Sequence, residues 1–161
     1  VVDISNVLVR AVTASLGDYQ LPDGVTIRKA DPEELHLYAR TVMTGFFSRG
    51  DVHDAELRIG YTMFHMPCTT PLLTFHYGNI AGGCALSVRN RVASLFGDAT
   101  LPGYRSKGLH TAALAQRLAI AAREGCDLAT AGTQPGSQSQ RNYQRLGFEV
   151  AYSKITMMRR K

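Results

Sequence analysis

The residues of this chain best suited to chemistry lie in Pro102-Gly103-Tyr104-Arg105-Ser106-Lys107-Gly108-Leu109-His110-Thr111. Ahead of them, Val92 to Thr100 reads as a strand, and behind them Ala112 to Glu124 reads as an alanine-rich helix. A short basic turn between strand and helix aims backbone N–H groups and the positive end of a helix dipole at one point. That suits an anion such as a pyrophosphate. Gly108 lets the backbone approach closely, while Arg105 and Lys107 add positive charge. Two common phosphate loops are excluded. Gly103 and Gly108 have Walker spacing, but Leu109-His110 follow where Lys and Ser or Thr are needed, and Gly-x-Gly-x-x-Gly does not occur. Taken alone, the loop is equally a solvated basic turn capping an ordinary helix.

A second motif narrows this. Arg105-Ser106-Lys107-Gly108-Leu109-His110 resembles the pyrophosphate loop of the GNAT N-acetyltransferase superfamily, Arg/Gln-x-x-Gly-x-Gly/Ala after a central strand. It matches at Arg105 and Gly108 and departs at His110. Downstream, Asn142-Tyr143-Gln144-Arg145-Leu146-Gly147-Phe148 resembles the family's late helix ending in Tyr-x-x-x-Gly-Phe. The resemblance covers about residues 25–161. It implies an α/β fold with a mixed, mostly antiparallel central sheet and helices on both faces. It implies acetyl-CoA as cosubstrate and no metal. By the same resemblance, Ala99 and Thr100 offer backbone groups to the pantetheine arm. Arg105, Ser106, Lys107, Gly108, Leu109, His110 and Thr111 form the pyrophosphate site. Asn142 bonds the cofactor arm or is only a polar group on the helix surface, and Tyr143 protonates the leaving thiolate or packs its helix on the sheet as a half-buried aromatic.

The reaction makes its own demand. An alkylamine has a pKa of about 10.4 in water, so a base or a desolvated site must help it attack neutral. Asp98 is the one carboxylate on the central strand and the candidate base, with a strand-end hydrogen bond as its alternative role. His110 puts a bulky side chain in the first helical turn. Pointed at the phosphates it bonds or crowds them; pointed away it costs nothing.

Composition sets the class. The 161 residues fit one domain with a sizeable core. Hydrophobic residues are 45% and charged residues 19%, which excludes disorder. Neither a spanning apolar run nor a signal peptide is visible, so a cytoplasmic location is expected, with no membrane partner. A chain that starts at Val1 is expected to lack its native N-terminus. Three cysteines without a Cys-x-x-Cys argue against a disulfide framework, and His65-x-x-Cys68 lacks a second metal-binding pair. Residues 1–80 carry a net −3 and residues 81–161 a net +8. A basic half fits a polyanionic cofactor and an acidic half a cationic amine.

The elements that must position these residues follow from pattern. Residues 1–24 read as an N-terminal extension. Ile4 to Arg10 loosely echoes Ser153 to Arg159, either by chance or because it is the last strand of a preceding, related lobe. Residues 25–161 form the acetyltransferase-like domain. Val25 to Lys29 is its first strand, and Asp31-Pro32-Glu33-Glu34 starts a helix. Leu35, Tyr38, Ala39, Val42 and Phe46 give that helix one apolar face, with a break at Gly45 to Gly50. A second helix spans about Asp54 to His65. Leu72 to Tyr77, Ile80 to Val88 and Val92 to Thr100 form a meander. The crossover helix turns Leu114, Leu118 and Ala121 inward, with Gln116, Arg117, Arg123 and Glu124 pointing elsewhere. Leu128 to Gly132 is then a parallel strand. Ser139 caps a short helix to Leu146, and Phe148 to Arg159 supplies the last strand or strands.

The reading is an N-acetyltransferase moving acetyl from acetyl-CoA to a primary amine of a small molecule or protein. Two alternatives stand beside it: a non-catalytic acyl-CoA-binding module, and a nucleic-acid-binding domain resting on the basic half. A homodimer or a place in a longer tandem chain is the expected assembly.

Overall fold

The computed structural model describes residues 2–13 and 19–158. Seven strands form one sheet in the order β2-β3-β4-β5-β6-β1-β7. In chain order these are β1 (Asp3–Ala11), β2 (Val25–Lys29), β3 (Thr69–His76), β4 (Asn79–Arg89), β5 (Val92–Thr100), β6 (Leu128–Thr133) and β7 (Glu149–Thr156). Four helices accompany them: α1 (Leu35–Phe47), α2 (Asp54–His65), α3 (Leu109–Arg123) and α4 (Gln138–Arg145). The strands β2 to β5 form an antiparallel meander, and β5 and β6 run parallel across the α3 crossover. The mixed, mostly antiparallel sheet with flanking helices is the expected fold class.

The sheet buries both faces. On one, Leu86, Leu95, Ala129 and Ala131 pack with Leu114, Leu118 and Ala121 of α3 and with Tyr143 and Phe148. On the other, Tyr38, Val42 and Met43 of α1 pack on Leu73 and Ala99. Leu8 of β1 is fully buried in the first cluster. The N-terminal strand is therefore built into the sheet, between β6 and β7, with an antiparallel ladder to each. The echo of Ser153 to Arg159 ends at Arg159, which lies outside the described residues.

Local chemistry explains the ends. Asp31 and Glu34 form a capping box over a single 3-10 turn from which α1 continues. Gly125 adopts φ 71° after α3 and lets the chain reverse. Ser137, two residues ahead of the expected Ser139, caps α4 by accepting from the Gln140 amide at 3.1 Å. Gly45 does not break α1, which runs on to Phe47. A Cβ on Gly45 would stand 2.8 Å from the Ala99 Cβ, so glycine allows the helix to approach β5. Phe46 is 61% exposed, and Met43 is buried on the inward face instead. Among the described residues no helix is long and apolar enough to cross a membrane.

A Leu8→Ala variant should lose about 2–5 kcal/mol of unfolding free energy in urea titration. An unchanged midpoint would mean that β1 does not share the core.

Candidate functional site

The site forms where β5 parts from β6, beside a bulge in its ladder to β4. The parallel ladder with β6 joins Val92–Leu95 to Leu128–Ala131 and goes no further. On the other side, the β4–β5 register shifts between Gly83 and Ala85. Gly97, at φ 67°, sits in this bulge. Beyond it opens a cleft of about 670 Å³.

Its floor is Asp98, Ala99 and Thr100 of β5. One wall is the turn ahead of α3. Ser106 (φ 61°) and Gly108 (φ 77°) both take the left-handed conformation, and Gly108 is the N-cap of α3. The first bond into the helix runs from the Ala112 amide to the Gly108 carbonyl at 2.9 Å. The amides ahead of Ala112 therefore lack intrahelical acceptors and stand at the positive end of the helix dipole. Ser106, Gly108, Leu109, His110 and Thr111 all line the cleft. Gly108 meets no protein atom closer than the Pro22 Cγ at 3.7 Å from an ideal Cβ, so the backbone is bare there.

Of the residues expected from sequence, Lys107 and Tyr143 do not line the cleft. The Lys107 ammonium lies over the Tyr104 ring at 5.6 Å. Tyr143 is 1% exposed, and its hydroxyl donates to Asp98 Oδ2 at 2.5 Å. Arg105 lines the cleft, yet its guanidinium donates to the Gly45 carbonyl at 2.9 Å and to Ser48 Oγ at 2.8 Å. Tyr104, from the same turn, and Gly45 also line the cleft, and Gln138, Ser139 and Arg145, which carried no site role in the sequence, complete the lining.

Sequence reasoning missed Arg117. Expected to face away from the core, Arg117 is fully buried and pairs with Asp98 Oδ1. It donates as well to the carbonyls of Ala113 (3.1 Å), Ala85 (3.0 Å) and Phe96 (3.3 Å). The position is three residues after Leu114 and four after Ala113, so helical spacing already allowed it inside. A lone carboxylate on a central strand was the available signal, because a buried charge calls for a partner.

The pair sets the local electrostatics. Burial alone would raise the Asp98 carboxyl. The Arg117 charge, then the His110 ring and the Tyr143 hydroxyl, hold it instead well below the usual carboxylate range. Burial, then the neighbouring Asp98 charge, push Tyr143 well above the ordinary phenol value. Burial also lifts the Cys84 thiol to about 11. No cluster of three or more His, Cys, Asp or Glu among the described residues is placed to hold a metal.

His110 turns toward α4. Asn142 Oδ1 accepts from Gln138 Nε2 at 2.9 Å and from Arg145 Nη1 at 3.0 Å. Its amide nitrogen therefore faces His110 Nδ1, at 2.9 Å. That donation makes Nδ1 the acceptor and assigns the ring proton to Nε2, 3.8 Å from Asp98 Oδ2. Nδ1 is thus bonded to Asn142, while Nε2 is buried beside Asp98 without a hydrogen-bond partner among the described residues.

Residues 33–148 match the model of the acetyltransferase (GNAT) family. The chain belongs to the GNAT acetyltransferase family. Solved structures share the GNAT fold. A GCN5-related N-acetyltransferase from Kribbella flavida superposes with a TM-score of 0.68 at 22% identity, over 94% of this chain and 56% of that one. A GCN5-related N-acetyltransferase from Sphaerobacter thermophilus gives 0.69 at 17% identity, over 93% and 49%. The chain thus spans about half the length of these two proteins. The aminoglycoside N-acetyltransferase AAC(6′)-Iy, solved with CoA, gives 0.63 at 23% identity, over 88% and 99%. No match is found among curated proteins.

An Asp98→Asn variant should be destabilised by about 3–5 kcal/mol at neutral pH, because it strands a buried guanidinium. The Asp98 carboxyl is lower in the folded chain than its unfolded value of about 3.9. Its contribution is therefore complete above that value and fades as pH falls through it. Unfolding titrations should show the gap to wild type narrowing below about pH 4. A gap absent at neutral pH, or one that widens in acid, would contradict this.

Proposed function

We propose that this chain transfers the acetyl group of acetyl-CoA to a primary amine of a small molecule or protein, by direct attack of the amine on the thioester. The observation that carries the reading is the cleft between β5 and α3, into which a glycine-capped helix presents unpaired amides. Those amides suit the pyrophosphate, and the bare backbone at Gly108 leaves room for it. The edge of β5 at Ala99 and Thr100 that β6 leaves uncovered, with Asn142 also lining the cleft, suits the amide groups of the pantetheine arm.

Asp98 is better suited to positioning than to base catalysis. Both its oxygens are engaged, and a carboxylate held so far below its usual range is a weak base near neutrality. Tyr143 remains the proposed proton donor to the leaving thiolate, and its hydroxyl must turn from Asp98 to act. The same locked pair supports the alternative of a module that binds acyl-CoA without transfer. A nucleic-acid surface has less support, because Arg117 is buried and Arg91 is paired with Asp127.

The acceptor class draws on AAC(6′)-Iy, which was solved with an acetylneamine bisubstrate analogue. Aminoglycosides therefore belong in the first amine panel. The place of β1, Asp3–Ala11, between β6 and β7 supports reading that strand as the last of a preceding lobe in a tandem chain. Three free cysteines support a reducing, cytoplasmic setting.

Calorimetry should show micromolar binding of acetyl-CoA and at least about 100-fold weaker binding of acetyl-pantetheine, which lacks the pyrophosphate. Equal affinities, or no heat from a folded sample, would refute the cleft as the acetyl-CoA site. With a working amine, Tyr143→Phe should lower kcat about tenfold or more while acetyl-CoA affinity stays within about twofold. Unchanged turnover would remove Tyr143 from the mechanism.

A further inference from the structure

The guanidinium of Arg105 is the charged group of the cleft whose placement the proposed chemistry does not explain. It stands beside the positive end of α3, which repels it, and reaches to the last turn of α1, which attracts it. There it donates to the Gly45 carbonyl at 2.9 Å and to Ser48 Oγ at 2.8 Å, while Nε donates to the Thr100 carbonyl at 3.3 Å. The Gly45 carbonyl is one of the four that a helix C-terminus leaves without an intrahelical partner. Ser48 ends α1 in the left-handed conformation at φ 57°. One side chain thus ties the end of α1 to the end of β5 and to the turn ahead of α3.

The same two elements touch without that bond. An ideal Cβ on Gly45 would lie 3.3 Å from both the amide nitrogen and the carbonyl oxygen of Thr100. The segment that follows, Ser48 to His53, links α1 to α2, and its Val52 packs against the cluster that holds Ala99 of β5. It holds no regular structure of its own. Its first residue is held by Arg105, and Arg49 reaches along it to pair with Glu56 in the first turn of α2.

The geometry points to Arg105 as a positioning residue that couples acetyl-CoA binding to the 45–53 segment, which borders the cleft at Gly45, rather than as a ligand of the pyrophosphate. Binding at the amides of 106–111 orders the turn that carries Arg105. Its guanidinium then transmits that order to Gly45 and Ser48. The inference rests on the proposed acetyl-CoA site.

The test is amide hydrogen exchange with and without saturating CoA, on wild type, Arg105→Ala and Arg105→Lys, with CoA affinity measured by calorimetry. In wild type, CoA should slow exchange in both 106–111 and 45–53, by about threefold or more in the second. In Arg105→Ala, protection at 106–111 should persist with CoA affinity within about threefold, while protection at 45–53 disappears. Arg105→Lys, which keeps the charge but loses the fork, should fall between them. CoA affinity lowered about tenfold or more in Arg105→Ala would make Arg105 a phosphate ligand and overturn the inference. So would CoA protection at 45–53 that survives the substitution. Absence of CoA heat from wild type would refute the acetyl-CoA site itself, and the inference with it.

Discussion

The buried pair of Arg117 and Asp98 is the interaction on which the rest of the site depends. A guanidinium and a carboxylate out of water are expensive unless their remaining hydrogen-bonding groups are also satisfied. Here the surroundings satisfy them. Arg117 takes the carbonyls of Ala85 and Phe96, which flank the β4–β5 bulge. Asp98 takes Arg117 on one oxygen and the Tyr143 hydroxyl on the other. One ion pair thereby fastens α3 to β4 and β5, and through Tyr143 it fastens α4 as well.

Those are the elements that shape the cleft. The bulge turns β5 away from its ladder, α3 supplies amides to the opening, and α4 supplies Asn142. If the pair fails, the bulge carbonyls lose their donor and Tyr143 loses its acceptor. The N-terminal strand adds support from behind. Arg10 donates to the Leu146 carbonyl, and Asn6 donates to Gln140 at 3.2 Å, so β1 holds both ends of α4. Chemistry at the cleft therefore depends on residues as far apart in sequence as Asn6 and Asn142.

Much of this was legible in the sequence because it is local. The glycine-capped turn before α3, the Asp31-Pro32 start, the meander and the crossover are each written in a few adjacent residues. What was not legible depends on packing between distant elements. Arg117 looked like a surface charge because its partner is nineteen positions away on another element. Phe46 followed Val42 at helical spacing, yet α1 meets β5 through Gly45 and Met43 is buried while Phe46 is left outside. Arg105 stood in a phosphate-loop pattern, but α1's carbonyls, invisible to a local motif, compete for its guanidinium. The place of β1 between β6 and the edge strand β7 depends on pairing with residues more than 100 positions away, which no local pattern carries.

The central claim is that the opening between β5 and α3 holds the pyrophosphate arm of CoA on backbone amides. A titration of isotope-labelled protein with CoA, followed by amide chemical shifts, tests it residue by residue. The account predicts that the largest shifts fall on the amides of residues 106–111, with Ala99 and Thr100 following. Shifts that leave 106–111 unmoved and gather elsewhere, such as on the exposed strand β7, would contradict it.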